Sequence, residues 1–281
     1  MKNKSYNIKE IFIFILVGLW WGLLGCTDRN APLAIALAPE GAVSAIPDTL
    51  VDHFGIDTTF FVKYLPLTNH GGKTLPILGR ANVADEALFA VREICNTLLT
   101  NKKHDLLGAL YQNRISLVIF GNNEYPDIFP FWNKNWDAKR YAGGYGPNAV
   151  GATCGFHEGD VLMNAWDRYP NENIVVHEFA HAIKNFALET VDTGFRQRVS
   201  TLWNEARLQG LWLNTYAGSN PEEYWAVGTQ VYFDVARTNP NGADGIYNEI
   251  GTRSQLKEYD RKLYDLFYEL YGDMSLDPKY K

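Results

Sequence analysis

The longest apolar run in the chain, Ile11 to Leu24, lies near its start and follows Lys2, Lys4 and Lys9. Fourteen apolar residues fall short of the roughly 20 that a helix needs to cross a bilayer. Basic then apolar is the order of a secretory signal. Farther on, the spacing of apolar positions predicts folded elements. Phe60–Leu65 and Leu75–Leu78 read as strands, the second interrupted by Pro76. From Asp85 to Thr100, Ala87, Leu88, Val91, Ile94, Cys95 and Leu98 recur at helical spacing. Ile115–Phe120 is a buried strand that ends in the turn Gly121-Asn122-Asn123, and Val161–Asn164 reads as another strand. Helices are predicted over 173–187, 193–208, 221–236 and 254–271, the last with Leu256, Tyr259, Leu263, Leu266, Phe267 and Leu270 on one stripe. Strands come early and helices late, so the predicted class is α+β. Between them, residues 124–150 form an aromatic-rich loop. Its rings, among them Phe129, Trp132, Trp136 and Tyr145, pin it to the core or line a substrate rim.

Composition narrows the class. Hydrophobic residues make up 46% and charged residues 21%, as in globular chains. The net charge of −6, with no long basic run, argues against nucleic acid as a partner. Leu23-Leu24-Gly25-Cys26 resembles the bacterial lipobox. That resemblance implies a signal peptide over 1–25, a lipid on Cys26 and membrane contact through that lipid alone. The rival reading is an uncleaved membrane anchor. Thr27, where Asp would hold a lipoprotein at the inner membrane, implies the outer membrane or cell surface of the envelope. Residues 26–48, rich in Ala and Pro, read as a tether, and 49–281 as one domain without repeats or a Gly/Ser linker. Cys95 and Cys154 form either one disulfide or two buried thiols.

The chemistry concentrates in His177-Glu178-Phe179-Ala180-His181, an H-E-x-x-H within an apolar helix. Residues four apart share a helix face, so the two imidazoles converge on one ion, and Glu178 stands beside them as general base. His157-Glu158 begins a similar pair, but Val161 occupies the fourth place, so it is not a motif. A catalytic zinc takes three protein ligands and leaves one position open. Position 187 is Ala, which excludes the short third-histidine spacing. The third ligand is therefore sought in Asn220-Pro221-Glu222-Glu223, where Glu223 follows His181 by 42 residues. Glu222 is its alternative, and Asn220 and Glu223 also fit a helix cap.

His177–Ala182, Tyr216, Asn220 and Glu223-Tyr224-Trp225-Ala226 together resemble the gluzincin metallopeptidases, specifically the anthrax lethal factor catalytic-domain family. The likeness covers about 50 residues and implies a zincin-like fold: an N-terminal lobe with a small twisted sheet and helices, a mainly helical C-terminal lobe, and one zinc in the cleft between. It also implies Glu223 as ligand, Tyr216 as stabiliser of the oxyanion, and a protein or peptide substrate. One position departs. The family often carries a second glutamate four residues after the ligand, where this chain has Val227, so a hydrogen bond from that carboxylate to the metal shell is missing. Two other functions share these residues: a zinc hydrolase of another amide, such as a cell-wall peptide or glycoprotein, and a lipoprotein that keeps the fold but only binds.

Overall fold

The apolar run Ile115–Phe120 is β3, and all six of its residues are buried. It is the middle strand of a five-stranded sheet, in a computed structural model that describes residues 41–69, 71–100, 103–129, 143–147 and 150–281. The signal segment, Cys26, most of the tether and Phe131, Trp132, Trp136 and Tyr141 lie outside the described residues, as does the Tyr145 side chain.

A short helix, α1 (Asp48–Phe54), precedes the sheet, and the chain already pairs at Ser44 with Tyr64, inside the stretch read as tether. The strands are β1 (Lys63–Thr68), β2 (Thr74–Gly79), β3, β4 (Gly143–Pro147) and β5 (Ala152–His157), in the spatial order β1-β2-β3-β5-β4. The central pairs β2/β3 and β3/β5 are parallel, while the outer pairs β1/β2 and β4/β5 are antiparallel. Parallel neighbours need a crossover. Between β2 and β3 it is α2 (Asp85–Leu99) and α3 (Leu106–Gln112), whose apolar faces enter the core. Pro76 is tolerated because β2 pairs with β3 only from Ile77 onward. At Pro76 the partner is Pro66 of β1 at the sheet's rim, so neither missing N–H breaks an interior ladder.

The predicted elements shift in four places. Strand β1 begins at Lys63, not Phe60. The Asp57 carbonyl accepts from Phe60 N and Phe61 N at 3.1 and 2.9 Å, coiling that segment into a turn whose rings pack on Phe129. Val161–Asn164 is not a strand. Helix α4 (Glu158–Val161) ends there, and Met163 takes a left-handed φ of 48°. Strands β4 and β5 went unseen because glycines interrupt their apolar pattern. The final helix is two, α9 (Arg253–Tyr259) and α10 (Arg261–Tyr271). Asp260 breaks it by capping Leu263 N while accepting from Trp212 Nε1 at 2.9 Å and Tyr224 Oη at 2.6 Å.

From β5 the chain reaches α5 (Ile174–Ile183), a π-helical turn (Lys184–Leu188), α6 (Glu189–Val191), α7 (Phe195–Leu208) and α8 (Pro221–Tyr232). Cys95 and Cys154 are free thiols and fully buried, the second of the two alternatives. Burial pushes both well above the ordinary thiol pKa. The class is α+β.

Candidate metal centre

Asn173 starts α5: its side-chain oxygen accepts from Val176 N at 3.1 Å, and its amide donates to Tyr280 O at 3.1 Å. Nine of the ten residues of α5 are buried, Glu178 being the exception. Asn220 starts α8, accepting from Glu222 N at 2.9 Å and Glu223 N at 3.0 Å. The capping alternative and the ligand alternative for Glu223 are thus compatible, because its amide is capped while its carboxylate turns toward α5. Trp225 Nε1 donates to Ala180 O at 2.8 Å and ties the two helices side by side.

His177, His181 and Glu223 are brought to one point. Their donor atoms stand 3.1 Å (His177 Nε2 to Glu223 Oε2), 3.3 Å (between the two Nε2 atoms) and 3.4 Å (His181 Nε2 to Glu223 Oε2) apart. Tetrahedral zinc with bonds of about 2.0–2.1 Å separates neighbouring donors by about 3.3 Å. The donor set, two imidazoles and a carboxylate, fits zinc in kind and in spacing.

Glu222 is directed elsewhere. Its Oε1 accepts from Lys184 Nζ at 2.6 Å. Two adjacent residues on a helix point about 100° apart, so one register serves the cluster and the other serves Lys184.

The electrostatics favour a cation. Burial would lower the His177 pKa, but the hydrogen bond with Glu223 and the charge of Glu178 outweigh it and push it up to about 9. Burial alone would raise the Glu223 carboxyl, and its hydrogen bonds to both imidazoles instead hold it far below the usual carboxylate range. Glu178 is raised: burial dominates, opposed by the two imidazoles and reinforced by the Glu223 charge. A carboxylate raised in this way is a better proton acceptor.

Sequence reasoning missed the groups behind this cluster. Gln230 Oε1 accepts from His177 Nδ1 at 3.0 Å, because the Gln230 amide nitrogen already donates to Glu172 Oε2 at 3.3 Å and Asn173 O at 3.2 Å. Tyr247 Oη donates to Glu172 Oε1 at 2.7 Å. The hydrogen bond expected to be missing with Val227 is therefore supplied one turn later by an amide. With Nδ1 donating to Gln230, Nε2 is the ring nitrogen that faces the cluster and that a metal would take in place of a proton. Gln230 follows Glu223 by seven residues, close to two full turns, and that spacing was its only sequence signal.

Tyr216 is 44% exposed and its ring lies nearly parallel to that of His177, with centroids 6.1 Å apart and planes 20° apart. Gly143, the first residue of β4, abuts Glu178, and a Cβ there would stand 2.6 Å from Glu178 Cγ. A cavity of about 580 Å³ opens from His177 and Glu178 past Tyr216 and Val227 to Arg237 and Tyr247. His157 takes no part. It is buried, 3.2 Å from Asp160 Oδ2 on one side and 3.2 Å from Asn122 O on the other.

No protein family matches the chain, and no curated protein matches it. Among solved structures it is similar to the Pro-Pro endopeptidase PPEP-2 from Paenibacillus alvei. The two share 15% identity over 69% of this chain and 96% of that one, with a TM-score of 0.45.

Proposed function

We propose that this protein is a zinc-dependent peptidase. The observation that carries the reading is the triangle of 3.1, 3.3 and 3.4 Å formed by His177, His181 and Glu223, with Glu178 on the next position of the same helix. A zinc ion held there supplies Lewis acidity to a carbonyl oxygen and makes water a nucleophile near neutral pH.

The chain's own residues supply the rest. Glu178, raised by burial, takes the proton of the attacking water and delivers it to the leaving amine. Tyr216, beside His177 on the open side, donates to the oxyanion. Gln230 holds the His177 ring in the tautomer that faces the cluster. Among the described residues β4 is the last strand of the sheet, and its start touches Glu178. An open strand edge beside the base suits an extended peptide, whose backbone can pair with it. The cleft thus lies between the sheet's edge and the helices that follow. The same reading keeps Cys26 as the lipid attachment point, with the enzyme at the cell envelope. A Cys26→Ser chain should then lose detergent-phase partitioning, and retained partitioning would argue for a different anchor.

The test measures zinc per chain, then peptide cleavage. One zinc in the wild type, lost in Glu223→Gln and kept in Glu222→Gln, supports the site. Cleavage lost in Glu178→Gln with zinc retained supports the mechanism. A wild type without zinc overturns both.

A further inference from the structure

Lys184 is almost fully buried at the junction of α5 and the π-helical turn, three residues after His181. A buried ammonium needs compensation. Its three donors are all used: Asn185 Oδ1 at 3.0 Å, Glu189 Oε1 at 2.6 Å and Glu222 Oε1 at 2.6 Å. Glu189 is balanced a second time by Arg196, whose Nε donates to Oε2 at 2.8 Å. Among the described residues Glu222 has no such second cation: its other oxygen, Oε2, is buried without a hydrogen-bond partner. The residue after Glu222 is Glu223, in the metal cluster.

We infer that Lys184 is a positioning residue that decides which of two adjacent glutamates meets the metal. It occupies Glu222 Oε1 and so keeps that carboxylate out of the cluster. The carboxylate left for the cluster is then that of Glu223. Without Lys184, the Glu222 carboxylate loses the cation that its Oε1 meets, and a metal held by the adjacent Glu223 would compete for it. The inference rests on the proposed zinc site, and its test separates the two.

The experiment uses the full chain loaded with cobalt, whose visible spectrum reports the ligand set, together with zinc affinity by chelator competition. Lys184→Met is expected to weaken zinc by about 10- to 100-fold, the usual effect of losing a ligand's support, and to alter the cobalt spectrum. Adding Glu222→Gln to Lys184→Met is expected to return the spectrum to that of the wild type, because no second carboxylate remains to intrude. An unchanged spectrum and affinity in Lys184→Met overturns the inference. So does a changed spectrum that persists in the double variant, since the loss is then a general loosening. If Lys184→Met does not fold, Lys184→Gln, which keeps a donor but not the charge, is read the same way: an altered spectrum supports the inference and an unaltered one overturns it. A wild type that binds neither metal sinks the zinc reading itself.

Discussion

Twenty residues apart, the chain carries two His-Glu pairs, both at least partly buried, and the two do opposite things. At His157-Glu158 the letters close a strand. His157 Nε2 lies 3.2 Å from the Asn122 carbonyl, while its Nδ1 faces Asp160 Oδ2 at 3.2 Å without a hydrogen bond, and Glu158 Oε1 accepts from Ala84 N at 2.7 Å, at the start of α2. At His177-Glu178 one ring nitrogen is satisfied by Gln230, while the other faces a second imidazole and a carboxylate. A buried histidine that faces a lone carboxylate lacks the further donors a metal needs and serves as a structural strut. One whose second nitrogen meets another imidazole and a carboxylate presents a donor set for an ion. The donor set in front of the second nitrogen, more than burial, separates the two sites.

The widest gap should appear on removing the carboxylates. Glu178→Gln is expected to cut peptide hydrolysis by about 100- to 10,000-fold with zinc per chain unchanged, whereas Glu158→Gln should leave turnover within a few-fold. Equal losses in steady-state assays would erase the distinction. Next comes Tyr216→Phe, expected to lower kcat by about 100- to 1,000-fold, the usual effect of deleting one oxyanion donor, with little change in zinc affinity. A rise in KM alone would move Tyr216 from the oxyanion to substrate binding. Gln230→Leu removes the acceptor from His177 and should weaken zinc by about 10- to 100-fold in chelator competition. Retained affinity would mean that the second nitrogen does not matter. The smallest effect belongs to the strut. His157→Ala leaves the Asn122 carbonyl without its imidazole partner and should cost about 1–3 kcal/mol in denaturant unfolding, with zinc stoichiometry intact. Loss of zinc here would show the two sites to be coupled.

Much of this was legible in the letters, for stated reasons. The central strand Ile115–Phe120 matched the structure because a strand buried on both faces is an unbroken apolar run. The convergence of His177 and His181 follows from helix geometry alone. The choice between Glu222 and Glu223 does not, because both sit in the first turn of α8 and both fit a capped start. What separates them in space is Lys184, 38 residues upstream of Glu222. Strands β4 and β5 were hidden by their glycines, and one of these, Gly143, is small because Glu178 lies against it. Asp260 reads as one more polar position in a helix, and only its partners Trp212 and Tyr224 reveal the break. Local periodicity was readable, and side-chain partnerships between distant segments were not.

The two buried thiols make the fold its own stopwatch. Only a thiolate reacts with an alkylating reagent, and burial keeps Cys95 and Cys154 protonated. Each gains reactivity only in chains that have opened. Where reclosing outpaces labelling, the rate at which a maleimide or iodoacetamide consumes them therefore reports the open fraction, with no engineered label and no optical probe. It should slow as zinc is added, by the factor with which zinc favours the closed chain.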